Sequence, residues 1–99
     1  MKTLFLCFSA LVGYSFSLHA NDWVGWRGAD RTSISTETGL IQQWPDGGPK
    51  NVWLSREAGI GYSSFSVVDD KLFTMGAFDN KEYLLAFDAK NGKALWKTE

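Results

Sequence analysis

The 99-residue chain has one thiol and one imidazole, Cys7 and His19, and both fall within its first twenty positions. From residue 21 onward neither side chain recurs. That stretch therefore has no zinc site of the usual Cys/His type, no thiol nucleophile and no Ser-His-Asp triad. Carboxylates remain. Asp69-Asp70 and Asp79-Asn80-Lys81-Glu82 group acidic side chains as an oxygen site for calcium would, but the EF-hand spacing is missing, so both read as solvated turns. Gly59-Ile60-Gly61-Tyr62-Ser63-Ser64 has some of the glycines of a phosphate-cradling loop. It lacks the third glycine and precedes a strand, whereas a dinucleotide-binding loop follows a strand and opens a helix. It reads as a loop leading into β-structure. Arg27, Asp30 and Arg31 read as a surface ion-pair group that holds the segment around them, in preference to a ligand contact. No catalytic or metal-binding residue is assigned.

The elements that must carry these residues begin after an address. Met1-Lys2 supplies a positive start, residues 3–18 are uncharged and rich in Leu and Phe, and Ala20 precedes polar Asn21-Asp22. This is the three-part pattern of a cleavable export signal over residues 1–20. Its apolar core is shorter than the roughly 20 residues of a membrane-spanning helix. The expected destination is the periplasm or the exterior, with no spanning segment after cleavage. Cleavage after Ala20 removes Lys2, Cys7 and His19, leaving nine basic against eleven acidic residues. The balance lacks the basic excess of a nucleic-acid binder. An aromatic content of 15% argues against disorder.

Residues 21–50 contain Trp23, Trp26 and Trp44 without sustained periodicity, and read as an irregular lead-in whose indoles dock on something. Short strands are expected afterward at residues 51–55, 64–68, 71–76, 82–88 and 93–98. Turns fall at Asp69-Asp70, over residues 77–81, and over residues 89–92, where Asn91-Gly92 is a favoured hairpin pair. In the 82–88 strand, Tyr83, Leu85 and Phe87 point one way and Leu84 and Ala86 the other. Both faces are apolar, so cover is expected on both sides, from neighbouring sheets. Val52-Trp53-Leu54-Ser55 and Leu95-Trp96-Lys97-Thr98 share an apolar-Trp pair ahead of a polar strand end, with 43 residues between the tryptophans. A propeller blade of four strands repeats every ~40–45 residues.

Three runs of residues then carry a resemblance. Tyr62-Ser63-Ser64-Phe65-Ser66-Val67-Val68, Lys71-Leu72-Phe73-Thr74, and above all Leu85-Ala86-Phe87-Asp88-Ala89-Lys90-Asn91-Gly92-Lys93-Ala94-Leu95-Trp96 together resemble one repeat of the PQQ-binding-like β-propellers. Trp23-Val24-Gly25-Trp26-Arg27-Gly28 and Gly47-Gly48-Pro49-Lys50-Asn51-Val52-Trp53 are similar to the start of secreted bacterial members. The chain departs from them at Ala29 and Phe65, where proline is usual, and at Ser33, where glycine is usual.

The resemblance implies an all-β propeller of four-stranded antiparallel blades, of the quinoprotein alcohol dehydrogenase-like type. Residues 58–99 would be its first blade, and residues 51–57 a strand completing the last. The rest of the ring, typically 4–8 blades, would lie outside this chain. Asp88 would accept hydrogen bonds from the following turn, Gly92 would close that turn in a left-handed conformation, and Trp96, like Trp53, would lie against a neighbouring blade. The implied role is an exported scaffold for envelope proteins or a small ligand, as in propellers of outer-membrane assembly. The alternative is part of a PQQ-dependent dehydrogenase of alcohols or sugars, with PQQ and calcium bound by residues not found in this segment.

Overall fold

The computed structural model describes residues 22–99; the expected signal peptide lies outside them. Their regular structure is a single antiparallel sheet of β1 (Phe65–Val68), β2 (Lys71–Phe78), β3 (Lys81–Asp88) and β4 (Ala94–Thr98), paired in chain order. No helix occurs among the described residues. The expected all-β meander is therefore present, with strand ends displaced by a few residues.

Turn chemistry explains the displacement. Val68 pairs with Lys71, and Phe78 with Lys81, so Asp69-Asp70 and Asp79-Asn80 are two-residue hairpin loops. All four residues have positive φ, between 48° and 63°. A two-residue loop of this hand matches the strand twist, and Asp and Asn tolerate the left-handed region better than most side chains. The second turn is thus two residues long, which lets β2 run on to Phe78. The Asn91-Gly92 turn differs from expectation: five residues separate β3 from β4, and only Gly92 has positive φ, at 74°. Asn80→Gly should stabilise the sheet by about 0.5–1 kcal/mol, because glycine meets no Cβ penalty at this φ. Urea unfolding followed by circular dichroism should show the midpoint rise with an unchanged slope.

Alternation sets two faces. Leu72, Thr74 and Gly76 of β2 share one face with Leu85 and Phe87 of β3, while Phe73, Met75, Ala86 and Trp96 share the other. A β-bulge at Leu95 fits one extra residue between the pairs Ala86–Trp96 and Phe87–Ala94. The buried core is small: Leu85, Ala86 and Phe87, consecutive on β3 and therefore covered on both faces. Part of that cover comes from this chain. On the Leu85 face, residues 53–61 form a strap across the sheet. Gly76 lies so close beneath it that a Cβ there would stand 1.7 Å from the Ala58 carbonyl oxygen. On the opposite face, the rings of Phe73 and Trp96 lie 6.0 Å apart and flank the small Ala86. Beyond this centre, Met75, Leu84 and Trp96 stay 41–48% exposed, so that face continues as open apolar surface.

Residues 51–57, expected as a strand, join no ladder among the described residues. Trp53 and Ala58 lie over the face of the sheet, and the strand partner expected for this run, in another blade, would be outside this chain. Two single-residue bridges guard the β1 side. Trp23 exchanges both backbone hydrogen bonds with Val67, and Ile60 does the same with Ala77 beyond the end of β1.

Candidate functional site

The most elaborated local structure is the β3–β4 turn with the strap tryptophan upon it. Asp88 begins the turn. Its carboxylate accepts the Lys90 N–H at 2.8 Å, and its carbonyl accepts the Gly92 N–H at 2.8 Å. The Asn91 side-chain oxygen accepts the Lys93 N–H at 2.9 Å. Trp53 closes the arrangement, its indole N–H donating to the Ala89 carbonyl at 2.9 Å. Its ring covers Gly92 so tightly that a Cβ there would come within 2.4 Å of the indole. Gly92 is thus required twice, for its positive φ and for the close approach of the ring. The structure brings Trp53, Asp88 and Gly92 into one cluster. Trp96 stands apart from it on the other face, 45% exposed.

Beside this cluster the strap and the sheet enclose a groove of about 240 Å³, lined by Trp53, Ser55, Phe65, Leu72, Thr74 and Phe87. Its polar atoms are engaged within the chain. The Thr74 hydroxyl donates to the Ser64 carbonyl at 3.0 Å, and the Ser55 hydroxyl accepts the Glu57 N–H at 3.3 Å. Such a lining suits apolar side chains and offers no acid, base or nucleophile for chemistry.

The acidic turns sit at opposite ends of β2, about 30 Å apart at the rise of a strand, too far to share one cation. Lysines neutralise neighbouring acids at both ends. Lys90 pairs with Asp70 at 2.6 Å, and Lys81 with Glu99 at 2.8 Å. Among the described residues no three His, Cys, Asp or Glu side chains gather into a metal-binding group. Hydrogen bonding to Asp70, aided by its charge, raises the Lys90 pKa above the ordinary 10.5. A raised lysine contributes stability below its unfolded pKa and loses it as pH climbs through the folded value. Both side chains are more than half exposed, so solvent screens the pair. Lys90→Gln should therefore leave the urea midpoint at neutral pH within replicate scatter, any difference in pH dependence appearing only above about pH 10.

The lead-in is docked in part, and its charged group differs from expectation. Of its tryptophans, Trp23 docks, with its ring packed over Gly28 and its backbone bridged to Val67, whereas Trp26 and Trp44 are exposed. Arg27 makes no ion pair with Asp30. Its guanidinium bonds the Ser33 hydroxyl at 3.1 Å and lies 5.5 Å from the Trp26 ring centre. With Ser33 at φ 62°, the backbone curls so that the Ser33 N–H meets the Arg27 carbonyl, and the two side chains come together rather than the charges. In the 59–64 loop, the Ile60 N–H is committed to the Ala77 carbonyl. The run edges the sheet through this bridge.

Two contacts escaped the sequence reading. Gly76 in mid-strand was a usable sign, since an internal strand glycine often marks another backbone close by. The stacking of the Lys97 ammonium 4.4 Å from Phe78 and 5.0 Å from Tyr83 had no local sign, because the register that aligns them is not written in any one segment.

Fold and site together define an open, four-stranded, all-β unit with a strap on one face and bare apolar surface on the other. No family model matches this chain, nor does any curated protein or solved structure.

Proposed function

We propose that the chain contributes the first blade of an exported β-propeller of the PQQ-binding-like type, serving as a binding scaffold for envelope proteins or a small ligand. The observation that carries this reading is the seating of Trp53 on the turn of residues 88–92. Trp96 sits in a similar sequence setting 43 positions later, in the middle of β4, with its indole still half open. One Trp-bearing segment already rests on an Asp-x-x-x-Gly turn, and the same arrangement repeated would stack sheet on sheet. The exposed Met75, Leu84 and Trp96 supply the apolar surface such stacking buries.

The scaffold reading rests on a turn and a groove that present packing and hydrogen-bonding groups, whereas a dehydrogenase would draw its cofactor residues from other blades. Two measurements test it. The reading frame beyond codon 99 should continue with further Asp-x-x-x-Gly-x-x-x-Trp repeats at about 43-residue intervals; a frame without them overturns the propeller. PQQ with calcium, titrated calorimetrically into the full-length product, should give no saturable heat. Saturable binding accompanied by dye reduction with an alcohol would replace the scaffold with an oxidoreductase.

A further inference from the structure

The Asn91-Gly92 pair, beyond its part in the turn, is the dipeptide most prone to intramolecular deamidation. Glycine offers no side chain to hinder attack by its own backbone nitrogen on the preceding carboxamide. Asn91 is exposed, so water reaches the product of that attack. Three contacts oppose the reaction in the folded chain. The Gly92 N–H is held by the Asp88 carbonyl, the Asn91 side-chain oxygen is held by the Lys93 N–H, and the Trp53 ring lies on Gly92. The geometry points to Asn91 as a latent modification site that Trp53 keeps closed: it reacts when the strap lifts and is protected while the indole is down.

The step balances without any further reagent but water. The Gly92 nitrogen loses its proton and bonds to Cγ of Asn91. The bond from Cγ to the side-chain nitrogen breaks, and that nitrogen leaves as ammonia, carrying the proton. Water then opens the resulting succinimide at either carbonyl, giving aspartate or isoaspartate. Isoaspartate inserts a methylene into the backbone between the Asp88 carboxylate and Gly92, which spoils the spacing that lets Trp53 reach both Ala89 and Gly92. Opening of the strap would thus leave a permanent covalent mark. The inference concerns this turn alone and does not depend on the propeller reading.

The test incubates the full chain at mildly alkaline pH, with and without denaturing urea, and follows residue 91 by peptide mapping and mass spectrometry. Reaction only from an opened state should slow Asn91 conversion roughly tenfold or more in the folded chain relative to the unfolded one. Trp53→Phe, which keeps a ring but loses the N–H bond to Ala89, should convert faster than the unaltered chain. Trp96→Phe, which alters an indole away from this turn, should not. Equal rates with and without urea overturn the proposal, as does a folded Trp53→Phe that converts no faster. Should Trp53→Phe lose its β-sheet circular dichroism, the comparison of the unaltered chain folded and unfolded decides alone.

Discussion

Trp53→Ala is expected to destabilise the sheet by about 3 kcal/mol, the lower end of the range for removing a large aromatic, because the ring is only half buried. The loss combines two parts. The indole no longer covers Gly92, and the Ala89 carbonyl loses its hydrogen-bond partner. Where the buried apolar side chains among the described residues are Leu85, Ala86 and Phe87, so large a loss is a major share of the total stability. Urea unfolding by far-UV circular dichroism should show the midpoint fall well below that of the unaltered chain. An unchanged midpoint would mean that the strap merely rests on the sheet. Gly92→Ala sharpens the test. In the unaltered chain its new Cβ meets the indole at 2.4 Å and also suffers the positive φ. In the Trp53→Ala background only the backbone part, about 1 kcal/mol, should persist.

Gly76→Ala should cost a similar amount, about 3 kcal/mol, for a reason unrelated to backbone dihedrals. The intruding methyl meets backbone, not a flexible side chain: the Ala58 carbonyl oxygen at 1.7 Å and its carbon at 2.9 Å. Nothing local can rotate away, so the strap must rise from β2 or the strand must bend, at the upper end of overpacking costs. Hydrogen exchange distinguishes the two. If the strap rises, the Ile60 amide, bonded to the Ala77 carbonyl at 3.0 Å, loses protection while the β2–β3 ladder keeps its own. Wild-type protection at Ile60 together with wild-type stability would contradict the close approach.

The strands were legible in the chain because their signals are local. The alternation of Tyr83, Leu85 and Phe87 marks β3, and the Asp69-Asp70 pair marks a turn whatever surrounds it. The strap was not legible. Residues 51–57 have the composition of a strand, and whether they pair edgewise or lie across a face depends on what the rest of the sheet leaves uncovered. Trp53, Asp88 and Gly92 were each picked out, on resemblance and turn chemistry, yet their gathering into one cluster requires a contact spanning 36 residues. The two-sided cover of β3 was expected from neighbouring sheets. At its centre the chain's own strap and the Phe73–Trp96 pair supply part of that cover, while Met75, Leu84 and Trp96 stay open.

The paired bridges of Trp23 to Val67 and Ile60 to Ala77 have a consequence for self-association. A bare strand edge is a template on which another chain can add a strand. Here single-residue clasps, each closed by two backbone hydrogen bonds, interrupt the β1 side at staggered positions, so an incoming strand meets no continuous row of free amides there. The β4 side has no such clasp among the described residues, but it has the kink at Leu95 and a charged Lys97. One border of the sheet is blocked by the lead-in and strap, the other by irregularity and charge. Detaching the lead-in would therefore free the Val67 N–H and carbonyl and lengthen the stretch of β1 edge on which another chain can add a strand.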